Sequence, residues 1–249
     1  MVNRIRLIVF LIVTAGVSGC SIIFAVETPV PALHYPAPDG STSKMVVFLP
    51  GFAEGPEQFE NNDFIRLLQE RYPSVSAVAM DTHLGYYKKG MLADRVIGET
   101  IEPAIAEGYD TIVVVGLSMG GYGALWTSDS IPGDVDGIVL MAPYLGDIDA
   151  PKGVKEHGGM REWVASFSDE LDFDEIPWIW ADGLIYGDRG NPQIVLAYGD
   201  ADRLKPNASV LEKHLPREHV FTNDGPHKWT AWTPLWSDIM ESGVLTMLE

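Results

Sequence analysis

Cysteine is nearly absent from this chain: Cys20 is the only one among 249 residues. One thiol cannot form an internal disulfide, so a fold stapled by disulfides is excluded. Basic residues are also scarce, with 17 Lys and Arg against 35 Asp and Glu and a net charge of −18. Such a surface repels nucleic acid and anionic lipid head groups, and it disfavours a strongly anionic substrate.

Motifs for metals and cofactors are missing as well. The sequence has no His-Glu-x-x-His, no cluster of Cys and His at ligand spacing, and no Gly-rich phosphate loop after a strand. It also has no internal repeat and no low-complexity tract. We therefore expect a protein that needs no metal and no organic cofactor and that binds no nucleic acid.

What the chain does contain is a regular alternation of apolar strands and helices. Short apolar runs predict strands at residues 45–49, 75–80, 111–115, 135–141, 193–198 and 219–222. Helical patterns follow at residues 57–71, 91–107, 119–128, 207–215 and 232–247. This alternation predicts an α/β fold with a short, nearly all-parallel sheet. With 46% hydrophobic residues the chain can bury one substantial core, so we predict one folded domain over residues 44–249.

Ser118 is the strongest candidate for a chemical role. It lies between two glycines in the run Gly116-Leu117-Ser118-Met119-Gly120, after an apolar strand and before a helix. A strand that reverses so tightly into a helix strains its central residue, and the glycines remove side chains that would collide there. The hydroxyl is thereby presented at the carboxyl end of the sheet, beside the free amides of the helix N-terminus. This context predicts a nucleophile.

A serine nucleophile needs a base and an acid that orients the base. The strand at 193–198 is followed by two candidate acids, Asp200 and Asp202. We favour Asp202, because it lies in the loop beyond the strand and can turn back toward a histidine. Asp200 lies closer to the strand end, where a short Asp side chain more often binds loop amides. His227 follows the last predicted strand and completes the order Ser, Asp, His, so we predict a triad of Ser118, Asp202 and His227.

The other histidines fit the role of base less well. His214 falls in a helical run and His219 begins a strand, so both are ordinary structural positions. His157 lies in a Gly-rich stretch that specifies no role. His83 precedes Ser118 in the chain and would break the order of the triad, so it ranks behind His227.

The oxyanion of acyl transfer needs at least two backbone amides. One is expected from Met119, the residue after the nucleophile. The other is expected from Phe52, in Pro50-Gly51-Phe52 after the first predicted strand, because Gly51 permits close approach of the backbone. Taken alone, this tripeptide is equally an ordinary Pro-Gly turn.

These motifs resemble the α/β-hydrolase superfamily, over residues 44–249. The run 116–124 looks like the nucleophile elbow of its esterase members, and the loop 225–227 is similar to the Gly-x-His loop of esterases related to esterase D. The segment 50–52 looks like a reduced form of their His-Gly oxyanion segment, with Pro50 where His is usual. The resemblance implies an α/β-hydrolase fold, a mostly parallel sheet with helices on both faces, and a cofactor-free serine hydrolase. It does not name the substrate.

The gap between predicted strands at residues 145–192 is longer than one helix requires. It holds many aromatic and acidic residues, and it leaves the sheet on the same rim as Ser118. One interpretation is a small cap insertion that excludes water and lines an acyl pocket. The other is an ordinary surface helix with aromatic packing. Tyr86 and Tyr87 follow another strand at that rim, where they either shape the pocket or simply pack.

The N-terminus predicts export. Arg4 and Arg6 precede an apolar run, residues 7–17, that is long enough for the core of a signal peptide and too short by itself to span a bilayer. We therefore predict a signal peptide over residues 1–19. The run that ends at Cys20 resembles the lipobox of bacterial lipoproteins, in which the cysteine is lipidated and becomes the first mature residue. An uncleaved anchor and ordinary cleavage remain open.

Lipidation at Cys20 would hold the protein on a membrane, since each buried methylene contributes roughly 0.8 kcal/mol. The Pro-rich part of residues 20–43 then predicts an extended tether. We expect a lipoprotein of the bacterial cell envelope that faces the periplasm or the exterior.

Two hypotheses about function follow. The first is a serine hydrolase that cleaves carboxylic esters, thioesters or lipid acyl groups through an acyl-enzyme, with a small ester or lipid-like molecule as its substrate. The second is a non-catalytic, membrane-anchored binding lipoprotein that keeps the hydrolase fold. Peptidase and acyltransferase activities remain minor alternatives.

Overall fold

The structure, a computed structural model, describes residues 25–187 and 189–249. Within them, seven strands form one sheet: β1 (Ala32–Tyr35), β2 (Lys44–Leu49), β3 (Val75–Met80), β4 (Thr111–Leu117), β5 (Gly137–Met141), β6 (Gln193–Gly199) and β7 (Val220–Asn223). The helices are α1 (Glu57–Asn61), α2 (Phe64–Arg71), α3 (Leu84–Lys88), α4 (Leu92–Val96), α5 (Glu102–Glu107), α6 (Met119–Ser130), α7 (Ala150–His157), α8 (Met160–Val164), α9 (Ile176–Tyr186), α10 (Lys205–Glu212) and α11 (Trp229–Ser242). A π-helical turn (Ile97–Ile101) joins α4 to α5, and 3-10 turns span Arg217–His219 and Thr246–Leu248.

The strands lie in the order β1-β3-β2-β4-β5-β6-β7, and neighbours are parallel except for β1 and β3. The central strands are buried along nearly their whole length, because helices cover both faces of the sheet. Strands that are buried on both faces have nearly continuous apolar sequences. Helices α2 and α11 cover one face, where Phe64 stacks on Trp236 at 5.0 Å, and α4, α6 and α9 cover the other. The predicted mostly parallel sheet with helices on both faces is confirmed.

The N-terminal part of the described chain is not a free tether. Within the segment predicted as one, residues 20–43, strand β1 pairs antiparallel with β3 and places Ala32 opposite Met80. Val30 and Ala37 on either side of this strand are buried. The strand itself contains no proline, and Pro31 and Pro36 lie directly before and after it, so the Pro-rich composition of the segment concealed a short edge strand. The tether prediction is therefore wrong over this part of the chain.

The predicted signal peptide, residues 1–19, and the predicted lipidation site, Cys20, lie outside the described residues. Both assignments stay predictions. Among residues 25–187 and 189–249, no helix combines the length and the apolar character needed to cross a bilayer.

Two predicted helices differ from the observed ones. The predicted helix 57–71 is divided into α1 and α2, because Asp63 adopts a left-handed backbone (φ 65°) between them. The predicted helix 232–247 begins earlier, at Trp229, and ends at Ser242, where Gly243 provides a left-handed cap (φ 66°). The earlier start brings the first turn of α11 close to His227.

The insertion at residues 145–192 forms α7, α8 and α9. Helix α9, the last of the three before β6, packs on α6 through Trp180, whose ring lies 5.0 Å from that of Tyr122 and 5.7 Å from that of Trp126. Trp178 on the same helix is fully buried. Of the two interpretations of the insertion, aromatic packing describes these residues.

Candidate active site

Ser118 lies in the turn between β4 and α6 with backbone angles φ 52° and ψ −113°, which L-residues rarely adopt. Backbone hydrogen bonds hold it there. The Ser118 amide donates to the Met141 carbonyl at 2.9 Å, and the Ser118 carbonyl accepts from the amides of Gly121 and Tyr144 at 2.9 and 2.8 Å. The strained conformation is therefore determined by the surrounding backbone.

The glycines that flank Ser118 are sterically required. A Cβ on Gly116 would lie 2.2 Å from the Gly120 carbonyl oxygen, and a Cβ on Gly120 would lie 2.0 Å from the Leu49 carbonyl oxygen. Both distances are far shorter than van der Waals contact. The close approach of β4, α6 and the end of β2 explains the glycine pattern in the sequence.

His227 and Asp202 form a hydrogen-bonded line with Ser118. Ser118 Oγ lies 2.9 Å from His227 Nε2, and His227 Nδ1 lies 2.9 and 2.8 Å from the two carboxylate oxygens of Asp202. The Asp202 side chain is fully buried, and its Oδ1 also accepts the Leu204 amide at 2.8 Å. A proton on Nδ1 satisfies the carboxylate and leaves Nε2 free to accept from the serine hydroxyl.

Asp200 makes a different contact. Its side chain is 50% exposed and pairs with Lys205 Nζ at 2.7 Å. Its amide donates to the Asn223 carbonyl at 2.6 Å, which fixes the end of β6 beside β7. The fold thus brings Asp202 to the imidazole of His227 and leaves Asp200 at the surface.

The remaining histidines that the sequence offered contact other groups. His83 Nδ1 accepts the Gly85 amide at the start of α3, and His157 Nδ1 lies 2.8 Å from the Gly153 carbonyl. His214 contacts Tyr186, and His219 contacts Gln193. In the described part of the chain, none of these four is hydrogen-bonded to Ser118.

Residues 50–54, which we term the oxyanion loop after their predicted role, lie against Ser118. A Cβ on Gly51 would be 3.4 Å from Ser118 Cβ. Phe52 has a side chain that is 59% exposed, and its amide donates to no other backbone group within the described residues. The Met119 amide lies in the first turn of α6, where amides have no partner within the helix. The segments that carry the two predicted oxyanion donors therefore lie beside Ser118.

A small cavity of about 190 Å³ opens at Ser118. It is lined by Gly51, Phe52, Glu54, Ser118, Arg203, His227 and Trp232. Sequence reasoning missed Glu54, Arg203 and Trp232, because no motif marks them. Their proximity in the chain to Phe52, Asp202 and His227 was the available signal.

Glu54 is an unusual lining residue because it is a partly buried carboxylate. Its Oε1 accepts the indole N–H of Trp229 at 2.9 Å, whereas its Oε2 is buried without a hydrogen-bond partner among the described residues. Burial raises the pKa of Glu54 above its usual value, although the hydrogen bond from Trp229 and the charge on His227 act in the opposite direction.

Neither the insertion nor the tyrosine pair at the rim lines this cavity. The Tyr87 hydroxyl donates to the Met119 carbonyl at 3.1 Å and so supports the start of α6. The Tyr86 hydroxyl contacts the backbone of Glu27, and its ring packs on His83 at 4.7 Å. Both tyrosines therefore support the rim by packing. Within residues 25–187 and 189–249, no group of three or more His, Cys, Asp or Glu side chains is arranged to hold a metal.

Solved structures share this architecture. Est1E from Butyrivibrio proteoclasticus superposes with a TM-score of 0.59 at 12% identity, covering 87% of this chain and 93% of its own. The S-formylglutathione hydrolase of Staphylococcus aureus gives 0.55 at 14% identity, covering 84% and 82%. A monoacylglycerol lipase of Paleococcus ferrophilus gives 0.53 at 16% identity, covering 88% and 98%. At these identities the likeness establishes the α/β-hydrolase fold.

The family assignment comes from the sequence itself. The family model described as "Putative esterase" matches residues 87–241, which is more than half of the chain and includes Ser118, Asp202 and His227. No curated protein matches the sequence. The chain belongs to this esterase family, and it is a carboxylic ester hydrolase.

Proposed function

We propose that the chain hydrolyses esters through an acyl-enzyme formed on Ser118. Ser118 Oγ attacks the ester carbonyl carbon while His227 Nε2 accepts the hydroxyl proton. The tetrahedral intermediate then expels the alcohol, which takes that proton. Water attacks the acyl-enzyme in the same way, and His227 returns a proton to Ser118. The observation that carries this proposal is the line of contacts from Ser118 Oγ through His227 to Asp202, at 2.9 Å and 2.8 Å.

The amides of Met119 and Phe52 would stabilise the oxyanion in this scheme. Both belong to segments that touch Ser118, and neither depends on a side chain for the donor itself. Loss of one such donor typically costs about 3 kcal/mol of transition-state stabilisation. The position of the oxyanion loop therefore matters for the rate.

The cavity supports small substrates. At about 190 Å³ it is smaller than the clefts that hold drug-sized ligands, which measure roughly 300–1,000 Å³. We propose that short acyl chains are preferred over the lipid acyl groups that the sequence also allowed. A series of p-nitrophenyl esters from acetate to dodecanoate tests this, and kcat/KM that rises with chain length would contradict it.

The nucleophile is tested with Ser118→Ala on p-nitrophenyl butyrate. We expect loss of turnover and of labelling by a fluorophosphonate. Ser209→Ala should behave as wild type, because Ser209 is a half-buried helix residue whose hydroxyl donates to the Pro206 carbonyl. Equal turnover in wild type and Ser118→Ala would sink the proposal. A wild type without turnover would favour the non-catalytic binding lipoprotein instead.

The acid is tested by comparing Asp202→Asn with Asp200→Asn. Asp202→Asn should lower kcat by roughly 10⁴, because the amide no longer favours the productive tautomer of His227. Asp200→Asn alters a surface ion pair and should change kcat by less than about threefold. The reverse order would assign the acid to Asp200.

We also propose that Cys20 carries a lipid anchor in the bacterial envelope. One feature of the described chain indicates how the domain would be oriented relative to the membrane. Ala32 at the start of β1 pairs with Met80 at the carboxyl end of β3, so the chain enters the domain at the edge of the sheet that carries Ser118. An anchor at Cys20 would then hold the active site toward the membrane. Palmitate incorporation should disappear in Cys20→Ala, and retained label would refute lipidation at this residue.

A further inference from the structure

Glu54 joins the oxyanion loop to the segment that carries His227. Its Oε1 accepts the Trp229 indole N–H at 2.9 Å, and Trp229 begins α11 just after His227. We propose that Glu54 is a positioning residue that, through Trp229, fixes the Phe52 amide relative to the imidazole. This inference rests on the proposed function, because it assigns a role in ester hydrolysis to a residue that does not touch the reacting atoms.

The oxyanion loop has weak restraints of its own. The Phe52 side chain is 59% exposed and cannot anchor the loop, and Ala53 has a left-handed φ of 59°, which disfavours a residue other than glycine. The hydrogen bond from the Glu54 amide to the Gly51 carbonyl is 3.3 Å long, beyond the usual range. An oxyanion donor has to be held within about 0.5 Å of its productive position. The contact with Trp229 supplies a restraint of that kind.

Trp229 is a rigid anchor, because aromatic side chains pack against it from several sides. Its ring lies 5.9 Å from that of Phe59, 5.3 Å from that of Phe64 and 5.3 Å from that of Trp232. Trp232 in turn packs edge-on against His227 at 4.9 Å. One aromatic cluster thus supports both the base and, through Glu54, the oxyanion loop.

The second carboxylate oxygen of Glu54 shows that its contact with Trp229 carries an energetic cost. Glu54 Oε2 is buried without a partner in the described chain, close to where a Cβ on Gly51 would lie (3.2 Å). Leaving a carboxylate oxygen unpaired in a buried position is unfavourable. An apolar residue would avoid this cost but could not accept the Trp229 hydrogen bond. Local conflicts of this kind are expected where function requires them.

The experiment removes each half of the contact. On p-nitrophenyl butyrate, Glu54→Ala and Trp229→Phe should each lower kcat about 10- to 100-fold and change KM less than about twofold. Glu54→Gln keeps an acceptor for Trp229 and should stay within about threefold of wild type. The double variant should be no slower than the slower single variant, because both changes break one contact. Trp180→Phe is the matched control, since the Trp180 indole N–H donates to no described residue.

Affinity for an alkyl boronic acid, which forms a tetrahedral adduct with a serine nucleophile, should fall in step with kcat in Glu54→Ala and Trp229→Phe. A merely structural role would instead lower the melting temperature and leave this affinity unchanged in the folded fraction. If Glu54→Ala does not fold, Trp229→Phe and Glu54→Gln carry the test. Trp229→Phe with wild-type kcat, or losses that add in the double variant, would overturn the inference. Absence of turnover in wild type would refute the proposed function itself.

Discussion

The two loops that meet at Ser118 are held in different ways. The turn around Ser118, residues 116–120, which we term the elbow, fixes Ser118 through backbone hydrogen bonds and through glycines that pack against neighbouring backbone. The oxyanion loop exposes Phe52 and reaches the rest of the site through the contact of Glu54 with Trp229. Both contain a non-glycine residue with positive φ, 52° at Ser118 and 59° at Ala53. Ser118 is therefore positioned by the fold itself, whereas the proposed second oxyanion donor, the Phe52 amide, belongs to a loop that is held by a side-chain contact distant in sequence.

The largest expected effect is a loss of stability, caused by a substitution where the elbow touches the oxyanion loop. In Gly120→Ala the new Cβ would lie 2.0 Å from the Leu49 carbonyl and 2.8 Å from the Pro50 carbonyl, at the start of the oxyanion loop. Because only backbone can move away, we expect a loss of about 3 kcal/mol or more in the free energy of unfolding. Denaturant unfolding measures it.

Gly98→Ala is the matched control for that change, because an added Cβ there meets no atom within 4 Å. It should be neutral or stabilising by less than about 1 kcal/mol. If Gly120→Ala were as stable as Gly98→Ala, the elbow would not be more rigid than the oxyanion loop.

A backbone change in the oxyanion loop should come next in size. Phe52→Pro removes the amide that we propose as an oxyanion donor, so kcat should fall roughly 10²–10³-fold. Phe52→Ala keeps the amide and removes an exposed side chain, so kcat should stay within about threefold. Melting temperatures identify any loss that comes from unfolding. Equal kcat in the two variants would assign the second donor to another group.

The elbow could be predicted from sequence because its determinants are local. Ser118 and its glycines lie within a few residues of one another, and the same reasoning selected Asp202 and His227, which the fold joins at 2.8 Å. Strand β1 was missed because its stability comes from pairing with β3, and because the four-residue strand lies between Pro31 and Pro36 in a Pro-rich stretch. The contact of Glu54 with Trp229 joins residues 175 positions apart, and no motif links them.

The insertion at residues 145–192 shows a related limit on what amino-acid composition can predict. Its aromatic residues suggest a cap or a packed helix equally well, because composition does not specify which neighbour a ring will meet. Trp180 meets Tyr122 and Trp126 on α6, and the described lining of the cavity at Ser118 includes no residue of the insertion. The deciding fact is the position of α9 on the sheet, which is a tertiary property.

The smallest expected effect is a change in melting temperature that depends on the charge of Glu54, the side chain that joins the oxyanion loop to Trp229. Burial raises the pKa of Glu54, so the folded protein keeps the proton to higher pH than the unfolded chain does. Stability from this group is present below the usual pKa of a glutamate and is lost as pH rises through the raised value. Glu54→Gln cannot ionise, so its melting temperature should exceed that of wild type by about 1–2 °C at pH 8.

The excess should shrink toward pH 5.5, which still lies above the isoelectric point of about 4.6 and keeps the protein charged. The charge on His227 opposes the rise in the pKa of Glu54, and the charge on Glu57 adds to it. A difference in melting temperature that is the same at pH 5.5 and pH 8 would show that Glu54 is already ionised at pH 5.5 in the folded protein. The oxyanion loop would then carry little electrostatic cost, and the contrast between the two loops would rest on geometry alone.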